Sequence, residues 1–279
     1  MANQGAVRID AIGYWSEIKL DIIKDYAQAY STILARQKNL SYAYVDGFAG
    51  AGVHLGTSGD WVLGSPLNAL KTRPPFHDYY LIDLDDRRVS LLKKLTAAYG
   101  NVHLFGGDCN RVLLKEVLPN IKYEDYRRGL CLLDPYGLHL QWSVVAMAAG
   151  MKSIELFVNF PIMDMNMNVL LHDSKKVEAQ QAARMTSFWG DESWRDVAYS
   201  TEGNLFGFAE KTTNDAIVSA YRERLKRVAG FAYVPEPVPM RNSKGAEVYY
   251  LFFASQRPVA QKIVQAIFRK YRTRGLRRD

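Results

Sequence analysis

The chain has 279 residues, 48% of them hydrophobic and 23% charged, with a formal net charge of +7. Its apolar runs all fall short of the ~18 residues that a membrane-spanning helix needs, and the composition is that of a chain with a substantial core, so a membrane span and disorder are both excluded. Cys109 and Cys131 and the histidines at 54, 77, 103, 139 and 172 stand apart at no ligand spacing, so neither a disulfide framework nor a metal site is expected. The opening MANQGAVRID has no apolar stretch of the kind that marks secretion, which makes the cytoplasm the expected location.

From Trp15 to Leu34, residues Ile18, Ile22, Tyr26, Tyr30, Ile33 and Leu34 recur at helical steps, which predicts an amphipathic helix lying against a sheet. Lys19 on that helix is expected to be solvated, a cofactor carboxylate being its other candidate partner. Five apolar runs follow: SYAYVDG (41–47), DYYLIDLD (78–85), NVHLF (101–105), GLCLLDPYG (129–137) and SIELFVNFP (153–161). Helices are predicted between them at Pro66–Lys71, Arg87–Tyr99, Asn110–Leu118 and Trp142–Gly150. Strands alternating with helices of this length give parallel βαβ units and a doubly wound α/β sheet. The polar, Gly-rich stretch 53–64 reads as a loop, either passive or a lid.

Beyond Pro161 the alternation stops, and residues 162–228 are expected to form a helical insertion that caps the ligand crevice, with a helix from Thr213 to Val228. FAYVPEPVPMR and AEVYYLFFASQ, joined by NSKG, read as an antiparallel hairpin. A helix from Pro258 to Tyr271 then leads into a basic tail, with seven Lys or Arg between residues 262 and 279. That tail can meet phosphates. The whole chain, 1–279, is expected to be one domain.

Open α/β sheets bind ligands beyond the carboxyl ends of their strands, and here those ends carry Asp, Gly and Asn. DGFAGAG places Asp46, Gly47, Phe48, Gly50 and Gly52 after the first strand, where glycines permit a tight turn and close backbone approach to a ligand. Asp83, with Leu84 beside it, ends the second strand; its two oxygens match the vicinal hydroxyls of a ribose, and Asp85 is the alternative. Asp108 and the Cys109 amide follow the third strand, placed to bond an adenine edge or, for Asp108, simply to cap the next helix. A dinucleotide would need GxGxxG opening directly into a helix. The glycines here run GxxGxG into a polar stretch, so a cofactor without phosphates is favoured, and S-adenosylmethionine, with its ammonium and sulfonium groups, suits the acids.

After the fourth strand, DPYG offers the Asp134 carboxylate to an amine, Pro135 fixes the backbone, and the Tyr136 ring can stack on a flat base. Asn159, one strand later, is placed to line the substrate side. The expected chemistry is methyl transfer to an exocyclic amine, aligned by hydrogen bonds to the reacting nitrogen.

The ordered set DGFAGAG, GSPLNAL, YYLIDLD, GDCN, LLDPYG and FVNFP, continuing to EVYYLFFAS, resembles the three-Cys-motif partner family, TcmP, from about Trp15 onward. The resemblance implies a Rossmann-like, S-adenosylmethionine-dependent methyltransferase whose cofactor site comprises Asp46, Gly47, Phe48, Gly50, Gly52, Asp83 and Asp108. It also implies a partner protein carrying a three-cysteine motif, which this chain itself lacks. DPYG has one proline where adenine amino-methyltransferases have DPPY or NPPY, and is similar to the DPFG of tRNA guanine-N2 dimethyltransferases. The expected substrate is therefore an exocyclic amine of a nucleobase in DNA or RNA. The alternatives are a small-molecule or protein substrate, or a non-catalytic cofactor-binding role.

Overall fold

The computed structural model describes residues 9–173, 176–200 and 210–275. The amphipathic stripe forms α1 (Tyr14–Leu34), burying Ile18, Ile22, Ile23, Tyr26 and Tyr30. β1 (Ser41–Asp46) leads to a short hairpin, β2 (Val53–Leu55) and β3 (Trp61–Leu63), and to α2 (Ser65–Leu70), with Pro66 in its first turn, where the missing N–H has no intrahelical partner to lose. The alternating part continues with β4 (Asp78–Asp83), α3 (Asp86–Leu95), β5 (Val102–Gly106), α4 (Cys109–Val112), β6 (Arg127–Leu133), α5 (Trp142–Gly150) and β7 (Ile154–Phe160). After it come α6 (Ile162–Asn168), α7 (Ala179–Trp189), α8 (Trp194–Ala198), the two-residue strands β8 (Tyr199–Ser200) and β9 (Glu210–Lys211), and α9 (Asn214–Arg227). β10 (Val238–Arg241), β11 (Glu247–Ala254) and α10 (Pro258–Gly275) complete the order.

Seven strands form one sheet in the order β10-β11-β7-β6-β1-β4-β5. The pairings from β7 to β5 are parallel, and β11 pairs antiparallel with both β7 and β10. This is the doubly wound, Rossmann-like α/β class that the strand–helix rhythm predicts. Because side chains alternate along a strand, Tyr42, Tyr44, Leu130 and Leu132 pack with α1 and α10 on one face. Ala43, Val45, Cys131 and Leu133 pack on the other, with α5, α7 and α9. The chain leaves β1 toward β4 and β5 on one side, then returns to place β6 on the other side of β1. The reversal point, where such sheets open a crevice, therefore lies between the carboxyl ends of β1 and β6.

Three elements differ from the sequence expectation. The predicted Asn110–Leu118 helix is α-helical only to Val112; a π-helical turn follows at Leu113–Val117 and a 3-10 turn at Leu118–Asn120. Pro119 has no N–H to continue an α register, and its ring crowds the preceding turn. In FAYVPEPVPMR only Val238–Arg241 is a strand, preceded by an isolated bridge at Tyr233. Pro235 and Pro237 lack ladder donors, and Pro239 is tolerated because β10 is an edge strand. Residues 53–64 contain a hairpin, turned by Gly59 at φ +83 with Gly56 donating to the Asp60 carbonyl. Ala11 bridges to Leu55, so the segment before α1 lies alongside β2.

Among the described residues no helix is long and apolar enough to cross a membrane. The last four residues of the basic tail, 276–279, lie outside the described residues, as do 201–209 within the predicted insertion.

Candidate functional site

Asp46 ends β1 and is fully buried. The Phe48 amide donates to its Oδ1 at 3.2 Å and the Tyr44 hydroxyl to its Oδ2 at 3.3 Å. Burial pushes its carboxyl up to about 7, against the Ser65 hydroxyl and the Phe48 amide, which favour the ion. Gly47 is held tightly, since a Cβ there would stand 2.9 Å from Leu133. Gly50, at φ +64, faces open space where a Cβ would go and donates its amide to Asp83 Oδ2 at 2.9 Å. Gly52, at φ +79, packs under Leu92, and Phe48 packs against the core.

Asp83, at the end of β4, also takes the Asp85 amide on Oδ1 at 2.8 Å, so each oxygen already holds one backbone donor and keeps further lone pairs. Leu84 beside it is 77% exposed. Asp85 caps α3 through the Arg87 amide. Asp108 caps α4, accepting from the Arg111 amide at 2.9 Å, so the capping arrangement is present at that position. Cys109 opens α4, and burial pushes its thiol up to about 12, which makes it an inert neighbour rather than a nucleophile.

Asp134 follows β6, the strand next to β1, and its Oδ2 accepts from Lys19 Nζ at 2.5 Å. The expectation of a solvated Lys19 is thereby corrected, because the residue is 8% exposed and its ammonium lies 4.9 Å from the Tyr249 ring centre. Burial opposes its charge, yet Asp134 and Tyr249 together hold the ammonium above the ordinary lysine range. Lys19 falls on the same helical face as Ile22, Ile23 and Tyr26, so its burial follows from the stripe itself.

The Pro135 carbonyl accepts from Asn159 Nδ2 at 3.4 Å, and Asn159 Oδ1 is buried without a partner. The Tyr136 ring is 73% exposed, while its hydroxyl donates to Asp10 Oδ2 at 2.6 Å. Arg88 donates to the same Asp10 oxygen at 2.8 Å and stands 4.0 Å from Asp83. On the far side of the DPYG turn, Asp164 of α6 accepts from the Leu138 amide.

The acids after β6, β1, β4 and β5 thus sit at one end of four neighbouring strands. Asp134 and Asp46 flank the reversal point and are close enough for the charge of one to raise the proton affinity of the other. Three further residues reach this rim without a sequence signal that singled them out for it: Asp10, Arg88 and Tyr249 on β11. Among the described residues no cluster of His, Cys, Asp and Glu could hold a metal ion.

No protein-family model matches the chain, and no curated protein matches it. Solved structures do. Protein LPL1258 from Legionella pneumophila is 12% identical, with a TM-score of 0.47, covering 90% of this chain and 92% of its own. The N-methyltransferase NodS from Bradyrhizobium japonicum, in complex with S-adenosyl-L-homocysteine, is 11% identical with a TM-score of 0.43, covering 92% and 94%. Trm5b from Pyrococcus abyssi is 11% identical with a TM-score of 0.37, covering 82% of this chain and 48% of its own. At these low similarities the fold class rests on the chain's own strand order.

Proposed function

We propose that this chain is an S-adenosylmethionine-dependent methyltransferase of the three-Cys-motif partner type, acting on an exocyclic amine of a nucleobase. The observation that carries the reading is the Asp134–Lys19 pair at the reversal point, beside the buried Asp46. A carboxylate held in one orientation by a buried ammonium is a fixed acceptor for an amine's N–H, and it stands on the rim where the glycine turn and the acids of the neighbouring strands gather.

The residues fit the cofactor's chemistry. Gly50 leaves the space of a side chain open, and Asp46, Asp83 and Asp108 supply acceptors for its ammonium, ribose and adenine edges, with Gly47, Phe48, Gly52, Leu84 and Cys109 as the surrounding wall. Once bound, it supplies an electrophilic methyl carried on a sulfonium. The chain's own task is then to orient the acceptor. Asp134 and the Pro135 carbonyl take hydrogen bonds from the amine, Tyr136 offers a stacking face, and Asn159, through its unpartnered Oδ1, lines the floor. Alignment of this kind can contribute several kcal/mol of the barrier, roughly 7–11 in the best intramolecular cases.

Calorimetry with S-adenosylhomocysteine, then tritiated-methyl transfer onto pooled RNA, DNA and protein, tests the reading. Binding and a labelled nucleic acid are expected, with turnover lost in Asp134→Ala while S-adenosylhomocysteine affinity stays. An Asp134→Ala chain that transfers at the wild-type rate removes the basis for the assignment.

A further inference from the structure

The end of the sheet opposite the acid rim carries a cluster of the other sign. In the turn before β6, the Tyr123 ring is 37% exposed and is held between two guanidiniums. Arg128 stacks over it at 3.7 Å from the ring centre. Arg257 stands 5.3 Å from the same centre, and its Nη2 donates to the Tyr123 hydroxyl at 2.7 Å. Arg257 reaches this end because β11 runs antiparallel to β7, so that Ala254, the last residue of β11, pairs with Leu156 near the start of β7.

The two guanidiniums lie within roughly 9 Å of each other, about one Debye length in physiological salt, and therefore repel. Among the described residues neither forms an ion pair, whereas the neighbouring Arg127 is paired with Asp78 at 2.8 Å. Glu124 and Asp125 share the turn with Tyr123, are exposed, and come within ion-pair distance of neither arginine. Glu155, at the start of β7, already accepts from the hydroxyls of Tyr26 and Ser255. Both guanidiniums are nonetheless fixed. Arg128 Nη1 donates to the Arg127 carbonyl at 2.7 Å and the Tyr123 carbonyl at 3.2 Å, Arg257 is held by the Tyr123 hydroxyl, and each keeps further N–H donors beyond these. The hydrogen bond from Arg257 and the charges of both arginines hold that hydroxyl below its ordinary value of 10.0. Helix α10 begins one residue after Arg257, so the positive end of its dipole adds to the same field.

The surroundings extend the charge. Exposed Arg36 and Lys38 lie in the loop that the Ser41 amide ties to the Tyr126 carbonyl at 3.1 Å, and exposed Lys152 lies beside the Ser153 carbonyl that accepts from Gly129 of β6 at 2.9 Å. Tyr126 is itself 65% exposed. Cations interleaved with exposed aromatic rings suit a strand that offers phosphates and base faces in alternation.

We propose that Arg128 and Arg257 form a phosphate site, and that this amino-end rim, with Tyr126 as a stacking face, is a second docking surface for the backbone of a single-stranded nucleic acid. The two rims stand one strand apart, roughly 20 Å, so one chain of several nucleotides reaches both. The surface is built from residues that take no part in the cofactor rim and does not rest on the methyltransferase reading.

Fluorescence anisotropy of the whole chain with a labelled oligouridylate of about 20 nucleotides, over a salt series, tests it. Arg257→Gln is expected to make the slope of log K against log salt shallower by about 0.7, and Arg128→Gln with Arg257→Gln by about 1.4. S-adenosylhomocysteine affinity and the far-ultraviolet dichroism should not change. Photo-crosslinking of the wild-type chain to the same strand carrying 4-thiouridine gives a second readout that needs no variant, and crosslinks are expected in the peptides holding Tyr123 and Tyr126. Slopes unaltered in both variants, with crosslinks confined to other segments, overturn the proposal. So does a wild-type chain that binds no strand; S-adenosylhomocysteine binding by that same preparation would leave the methyltransferase reading standing. The expected slopes from a chain that binds no S-adenosylhomocysteine would remove that reading and leave this surface in place.

Discussion

Asp46 holds its proton up to about pH 7 because burial disfavours its ion and the charge of Asp134 adds to that. Its unfolded counterpart ionises near 3.8, so between about pH 4 and pH 7 the folded form binds more protons than the unfolded form, and stability falls as pH rises through that window. At ~1.4 kcal/mol for each tenfold change in proton affinity, the loss is on the order of 4 kcal/mol at pH 8. Asp46→Asn keeps an acceptor for the Phe48 amide and removes the charge. It is therefore expected to raise the melting temperature at pH 8 but not at pH 4, and to weaken S-adenosylhomocysteine binding; thermal scans at both pH values decide it. The Lys19–Asp134 pair makes the complementary case. Lys19→Met alone leaves the part-exposed Asp134 carboxylate without its cation and should cost about 1–3 kcal/mol in urea denaturation, while Lys19→Met combined with Asp134→Leu should recover much of that loss. Additive costs in the double variant would show that the two groups do not interact.

At the level of elements, the piece that closes the rim is a composite. The Ile12 amide donates to the Leu55 carbonyl at 2.9 Å, the Leu55 amide to the Asp10 carbonyl at 3.1 Å, and the Thr57 amide to Glu17 at 3.1 Å. The segment before α1 and the β2–β3 hairpin thus form one flap, and Asp10 fastens it to Tyr136 and Arg88. Charge-assisted hydrogen bonds of this kind contribute about 1.5–3 kcal/mol each when enclosed and less at an exposed ring. Asp10→Ala is expected to release S-adenosylhomocysteine about tenfold faster, equivalent to ~1.4 kcal/mol, and to lower amide-exchange protection of β2 and β3. Stopped-flow displacement measures the first effect, and an unchanged release rate would show that the flap does not guard the site. The sequence offered 53–64 as a passive loop or a lid, but neither the hairpin nor its partner was legible, because VHLGTSGDWVL is polar and Gly-rich and the segment it pairs with is remote, which local pattern cannot supply. The five parallel strands were legible, since each is a short apolar run bounded by turn residues. So was the gathering of Asp46, Asp83, Asp108 and Asp134 at one rim, which follows from parallel strands sharing a carboxyl end. The burial of Lys19 was not, since a lysine on an amphipathic helix reads as solvated and the carboxylate that holds it lies 115 positions away.

For the whole molecule, the question is where the net charge of +7 goes. Helix α1 descends from the rim, since Lys19 meets Asp134 there while Ser31 bonds the Pro74 carbonyl before β4 begins. Helix α10 starts at the opposite end, after β11, and climbs until Lys270 meets Asp25 of α1 at 2.6 Å and Arg272 donates to the Pro237 carbonyl at 2.7 Å. Part of the basic tail is thus committed to packing, while Arg277 and Arg278 lie outside the described residues. If the substrate is a nucleic acid, those charges position its backbone, and each phosphate neutralised on a single strand contributes about −0.7 to the slope of log K against log salt. Removing residues 276–279 deletes Arg277 and Arg278, so the slope for binding a single-stranded RNA should become shallower by about 1.4. S-adenosylhomocysteine affinity should not change, because the acids that would hold it lie on other segments. Fluorescence anisotropy over a salt series makes the measurement. A slope near zero in the intact chain would move the substrate from nucleic acid to a small molecule or protein while leaving the proposed cofactor site untouched, because the acids assigned to it stand at strand ends and owe nothing to the tail.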